Sequence, residues 1–360
     1  MNGDKLKSWQ ASCLLCVLLI GNLSGGYGHF KSGGLIWLSY AAAAVFGGLL
    51  AVVYAVIIET RRGRTLCDTV NALFCRPTYL TFTALFTLAA AVYCCFSLDL
   101  FTTMTSATSL RETPPLLVAM FISLIGAMLI KSGLSVAGKC SLVFLIIIAF
   151  ITLFSFVFSV SEFEQSNLIS LSDPSGIFSD ALYFFCSSFC KTAMFAGVVS
   201  NISGSAKKAM LGGVFAAAVI VICSMIRDIA VLGSFVCRDV EYPPYYAMSA
   251  VNAFDFLQRT EALGTVVTFF CAVTECAVCL YCVCIGISRL AMVRCAKCLA
   301  VPTALLLSAI SCAVGYSDII SVFYGFSVVF GVFSVGSALV IFTKSKRSSA
   351  KTRRIGNSDN

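Results

Sequence analysis

The sequence predicts an all-α polytopic membrane protein in which ten helices cross the bilayer. Of 360 residues, 59% are hydrophobic and 12% charged, and the mean hydropathy is +0.94. That leaves too little polar material to cover a soluble domain of this size. The apolar residues gather into ten runs of roughly 20 residues, the length a helix needs to cross about 30 Å of hydrocarbon with every peptide group satisfied. The basic residues, finally, alternate between successive connections, as they do when every second loop stays in the cytosol.

The first run, residues 8 to 30, begins with the apolar stretch Cys13 to Ile20 and ends in Gly21-Asn22-Leu23-Ser24-Gly25-Gly26-Tyr27-Gly28. It has no small-residue cleavage site and is followed at once by a second span, so it reads as a retained helix and not as a signal peptide. The second run covers 33 to 58. Leu66 to Phe74, between Arg64 and Pro77, reads as an amphipathic surface helix. The third covers 78 to 108 with Asp99 two-thirds along, the fourth 114 to 131, and the fifth 135 to 160. An acidic connection, 161 to 179, leads into the sixth run, 180 to 200, whose centre reads Cys186-Ser187-Ser188-Phe189-Cys190-Lys191-Thr192. The seventh, 209 to 234, carries Arg227 and Asp228 near its outer end, where they read as interfacial. Tyr242-Pro243-Pro244-Tyr245-Tyr246 precedes a short amphipathic surface helix expected over Ala247 to Leu257. Glu261 caps the start of the eighth run, 260 to 288, which holds Glu275 near its middle. The ninth and tenth cover 298 to 315 and 318 to 342. Residues 1–342 are thus expected to form one integral-membrane domain, and 343–360 a basic cytoplasmic tail.

With the N-terminus inside, 19 of the 25 Lys and Arg fall in the inner segments, and Lys31, Arg111, Arg238 and Arg259 in the outer ones. Ten spans with both termini cytoplasmic fit this division. The net charge of +8 is then a mark of topology. It does not point to nucleic acid, although the tail can touch anionic membrane lipid. The single histidine, His29, excludes histidine triads and multi-histidine metal sites. The 19 cysteines lie mostly in apolar runs, which argues against a disulfide-stapled scaffold. Cys271, Cys276, Cys279, Cys282 and Cys284 read as small packing residues, and Cys295 and Cys298 form one C-x-x-C without the second pair a structural zinc site needs. No enzyme motif, cofactor or metal site is expected.

Glycine clusters and buried charges are costly in lipid unless protein or a cavity compensates them. The segment from Gly21 reads in two ways, as a broken helix whose freed amides bind a small polar ligand or as a short helix ending in a glycine-rich loop. If the ten helices form two inverted sets of five, the sixth is the counterpart of the first, and interrupted first and sixth helices mark inverted-repeat transporters. The ligand-binding candidates are therefore Gly21, Asn22, Ser24, Gly25 and Gly26 on the first helix and Ser187, Ser188, Phe189 and Cys190 on the sixth. Tyr93, with Phe185 and Cys279, supplies further side-chain contacts. Lys191 and Glu275, of opposite sign at mid-depth on two helices, suggest a buried charge pair; the alternative is a snorkelling lysine and a protonated glutamate.

Three stretches resemble the spore germinant-receptor B-subunit family, the GerAB-type spore permeases of the amino acid, polyamine and organocation superfamily. They are Gln10 with the apolar run to Gly21, Glu112-Thr113-Pro114 through Lys131-Ser132-Gly133, and Tyr242-Pro243 followed by Phe256-Leu257-Gln258-Arg259-Thr260-Glu261-Ala262-Leu263. Ala230 to Gly233 extends the likeness. The resemblance implies a LeuT-type fold of ten helices in a 5+5 inverted repeat. It also implies a nutrient-sensing role in the spore inner membrane beside A and C subunits, with an amino acid as the expected ligand. An ion-coupled amino-acid permease acting alone is the competing expectation. Two departures stand out: the signs at Lys191 and Glu275 are exchanged relative to the family pattern, and the glycine-rich segment lacks the proline usual near position 28.

Overall fold

The computed structural model describes residues 6–21, 30–61, 63–108, 110, 112–168, 174–250, 261–293, 295–314 and 316–358. A two-residue strand β1 (Leu6–Lys7) opens into α1 (Ser8–Ile20), followed by α2 (Ile36–Thr60), α3 (Leu66–Leu73), α4 (Arg76–Thr108), α5 (Pro115–Ser132) and α6 (Leu134–Ser159). The second half runs through α7 (Gln165–Leu168), α8 (Pro174–Ser187), α9 (Thr192–Val198), β2 (Ile202–Ser203), α10 (Ala206–Asp239), α11 (Pro243–Ser249), α12 (Glu261–Leu290), α13 (Ala300–Ala313) and α14 (Tyr316–Ser358).

Among the described residues, nine helical stretches are long and apolar enough to cross a membrane, and α1 is a shorter apolar helix. Since residues 22–29 lie outside the described set, this agrees with the expected ten. Depth in the bundle divides the spans. α1 is central, with every side chain from Leu14 to Ile20 buried, and packs against α10, α6 and α12. α12, equally enclosed, runs along α4 and α5. α6 lies at the rim and leaves Ile146, Phe150 and Leu153 exposed, a face that only hydrocarbon suits.

Local chemistry explains the boundaries. Gly133 alone separates α5 from α6, at φ 100°, a left-handed conformation that glycine adopts without the Cβ clash other residues meet. Gly233 does the same within α10, where the backbone departs from helical geometry at φ 78°. α3 is held by a capping box in which the Thr65 hydroxyl accepts from Asp68 N while Asp68 accepts from Thr65. Asp68 also meets Arg289 of α12 at 2.7 Å, which ties this amphipathic helix under the bundle.

Several expectations are revised. The outer surface helix, Pro243–Ser249, starts four residues before the expected Ala247, because Pro243 and Pro244 occupy its first turn, where a missing N–H costs nothing; the expected stretch from 251 to Leu257 lies outside the described residues. α14 continues from the last span through the basic segment to Ser358, with Lys344 Nζ 3.8 Å from the ring centre of Phe74. Arg227 and Asp228 are not interfacial. Both are buried, 1% and 0% exposed.

Candidate functional site

The site begins where α1 stops. A helix leaves its last four carbonyls without intrahelical partners, and its C-terminal end carries partial negative charge that favours a cation. Leu18 O is one of these carbonyls, and the Lys191 ammonium donates to it at 3.4 Å. Lys191 reaches it from the break in the sixth span, where α8 ends at Ser187 and a 3-10 turn, Phe189–Lys191, precedes α9. The break forms without glycine or proline, in the polar run of Ser187 and Ser188.

Glu275, from the middle of α12, completes the centre, with Lys191 Nζ 2.7 Å from its Oε1 and both side chains at 0% exposure. Taking either charge alone out of water costs several kcal/mol, so each is tolerable there only because the other is present. The Tyr93 ring of α4 lies 5.9 Å from the ammonium, within cation–π range. Its hydroxyl donates to Cys186 O at 3.1 Å in the last turn of α8. Four parts of the chain thus converge on one enclosed ion pair: the end of α1, α4, the α8–α9 break and α12.

Glu275 Oε2 has no hydrogen-bond partner among the described residues. It lies against Gly21, where a Cβ would overlap it. Gly21 has ordinary right-handed helical torsions, so close approach, and not backbone strain, requires glycine there.

Beside the pair, on its Arg227 side, lies a cavity of about 50 Å³ lined by Ile20, Ser224, Arg227, Met248, Thr268 and Cys271, among others. Its walls are mostly apolar, with Thr152, Ser224, Arg227 and Thr268 as the polar groups, and it has room for water. Ile20 adjoins Gly21, and Cys271 stands one turn from Glu275. Arg227 spans the wall: its guanidinium bonds Asp228 and Ser155 of α6, reaches Ser224 Oγ at 3.3 Å, and contacts Pro244 O of α11 at 3.5 Å. This node joins α6, α10 and α11 over the cavity. Elsewhere, Asp180 of α8 accepts from Lys31 N and Ser32 N at 2.9 and 2.8 Å. At the other end of the bundle, β1 pairs parallel with β2, and Glu59 of α2 accepts from Ala206 N at the start of α10. Ties at both ends close the bundle around the pair.

The other candidates divide. Ser187, Ser188 and Cys190 are buried at the break. Cys279, one turn beyond Glu275, directs its thiol toward Met194 Sδ at 3.6 Å. Phe189 turns toward α2, with its ring 5.3 Å from that of Tyr40. Phe185 lies apart from the pair, edge-on to the exposed Phe46. Asn22, Ser24, Gly25 and Gly26 lie outside the described residues. Sequence reading missed Leu18 O, a backbone group that no residue type announces, and the depth of Arg227 and Asp228. Adjacent opposite charges bounded on both sides by apolar residues were the available signal for the latter.

Phe189 fixes the break against α2 through Gly47, where a Cβ would stand 2.8 Å from Phe189 Cβ and overlap its ring. Gly47→Ala is therefore expected to destabilise the folded protein by about 1–3 kcal/mol through overpacking, seen as a lower thermal midpoint in detergent. An unchanged midpoint would show that the α2–Phe189 contact yields freely.

The family model described as "Spore germination protein" matches residues 29–319. No curated protein matches the chain in sequence. Among solved structures, MhsT in complex with L-phenylalanine is similar at 13% identity and a TM-score of 0.63, covering 94% of this chain and 89% of that one. Mhp1, a nucleobase-cation-symport-1 family transporter in a closed conformation with bromovinylhydantoin bound, gives 12%, 0.66, 97% and 93%. A mutant of the Eremococcus coleocola manganese transporter gives 12%, 0.61, 95% and 82%. At such identities the likeness is one of fold. The chain is an integral multi-pass membrane protein with the LeuT-type transporter fold, α1 and the broken α8–α9 being its first and sixth spans.

Proposed function

The chain belongs to the spore germination protein family, and from that premise we propose that it is the integral-membrane B subunit of a germinant receptor that senses a free amino acid. The observation that carries this reading is the Lys191–Glu275 pair, enclosed where the end of α1 meets the α8–α9 break. An amino acid presents one anionic and one cationic group, and the centre offers complements to both. Its carboxylate meets backbone amides of the segment Asn22 to Gly26. Its ammonium meets carbonyls around Ser187 to Cys190 and the second oxygen of Glu275. The cavity under Arg227 supplies the approach from the outer side. Binding then shifts the balance between two arrangements of the bundle, and A and C subunits read the change.

The second reading, an ion-coupled amino-acid permease acting alone, is favoured by the transporter fold. Radiolabelled amino-acid uptake into proteoliposomes separates the two. The receptor reading expects no concentrative uptake by the isolated chain, and a nutrient response in spores that requires the neighbouring subunits and is abolished by Glu275→Gln with the protein still in the membrane. Robust uptake by the chain alone, or a normal response in Glu275→Gln spores, would overturn it.

A further inference from the structure

Most cysteines of this chain are packing residues, buried or half-buried; among the described residues only Cys75, Cys295, Cys298 and Cys312 are exposed. Two of these four touch. Cys298 Sγ lies 2.7 Å from Cys295 Sγ, in the connection between α12 and α13. The local backbone explains why. Cys295 is the N-cap of a 3-10 turn, Ala296–Leu299, and in 3-10 geometry side chains three residues apart eclipse one another at a rise of about 6 Å. That matches the Cα separation of about 4.4–6.8 Å that a disulfide spans. An α-helical turn at this place would set the two thiols at an angle to each other.

The two sulfurs also differ in reactivity. The hydrogen bond from Cys298 holds the Cys295 thiol below its usual range. One is suited to attack and the other to follow. The connection lies at the end of the bundle that carries Arg289 and Lys297, and Lys297 Nζ donates to Lys131 O at the end of α5. The charge pattern assigns this end to the cytosol, where reduced thiols are the resting state and a disulfide marks a chemical event.

We propose that Cys295 and Cys298 form a reversible dithiol modification site, oxidised by hydrogen peroxide, on the connection between α12 and α13. The Cys295 thiolate attacks one peroxide oxygen; the S–O bond forms, the O–O bond breaks, and the departing hydroxide takes a proton to leave as water. Sulfur is oxidised by two electrons and the peroxide reduced by two. Cys298, losing its proton to solvent, then attacks the Cys295 sulfur. The S–S bond forms, the S–O bond breaks, and a second water leaves. The product bridges the residues that follow α12 to the turn that begins α13, and a dithiol reductant restores both thiols.

The site is tested on the full chain in detergent micelles with hydrogen peroxide, reading each cysteine by maleimide labelling and peptide mass. Cys295 and Cys298 should lose labelling together, about tenfold faster than Cys75, which is exposed at the same end of the bundle. A linked species lacking two hydrogens should appear, and dithiothreitol should return both labels. In Cys298→Ser, Cys295 should instead accumulate a sulfenic acid trapped by dimedone. Loss of the two labels at independent rates, absence of the linked species, or no dimedone adduct in Cys298→Ser would each overturn the proposal. Both positions are exposed, so Cys298→Ser leaves the packed bundle intact.

Discussion

Lys191→Met is expected to lower the stability of the folded protein by about 3–5 kcal/mol, because it leaves Glu275 charged and enclosed without its ammonium partner. The thermal midpoint of the full chain in detergent should fall steeply, and the nutrient response should be lost. The double variant Lys191→Met with Glu275→Gln removes both charges and should recover much of the stability, since apolar or neutral replacement of a whole buried pair is often near neutral. It should not recover the response, which under the proposed function needs the charges themselves. Exchanging the signs, Lys191→Glu with Glu275→Lys, should restore more function than either single change. Equal loss in all three variants would count against a direct pairing. Recovery of the response in the neutral double variant would count against a ligand role for the pair.

Arg227 supports the second large effect. Its guanidinium bonds Asp228 and Ser155 and reaches Ser224 and Pro244 O, so one fork ties α6 and α11 to α10. Arg227→Met deprives buried Asp228 of that partner and should cost about 3 kcal/mol or more. Arg227→Lys keeps the charge but cannot reproduce the planar fork. Its expected result is a looser cover over the adjacent cavity, read as faster reaction of Cys271, which lines that cavity, with a small thiol reagent. Unchanged Cys271 reactivity in Arg227→Lys would show that α11 is held by its apolar contacts alone.

Much of the architecture was legible along the chain. The helix pattern, the alternation of basic connections, the amphipathic helix now seen as α3 and the interruption near Ser187 could each be read locally. The first and sixth spans were singled out by polar or glycine-rich residues where lipid permits few. The first-span candidates Asn22 to Gly26 remain expectations, since those positions lie outside the described residues. Other features escaped for identifiable reasons. Phe189 and Phe185 look alike in the sequence and both meet α2, yet Phe189 is enclosed against Tyr40 at the break while Phe185 is only half-buried, against the exposed Phe46. Arg227 read as interfacial because a long side chain near a span's end usually snorkels. Here its own helix, through Asp228 and Ser224, and the neighbours α6 and α11 supply the partners it would otherwise seek in water.

By itself the sequence determined that this chain crosses a membrane many times, which connections carry the basic charge, and where the sixth span interrupts. Lipid imposes those rules segment by segment: each span must satisfy its own peptide groups and justify its own charges. Only the tertiary structure decided that Lys191 and Glu275, 84 residues apart in sequence, share one ion pair at the end of α1, that Arg227 is enclosed, and that Cys295 and Cys298 touch. Such facts depend on which helix lies beside which, and on the pitch of a single turn. No periodicity within one segment encodes them.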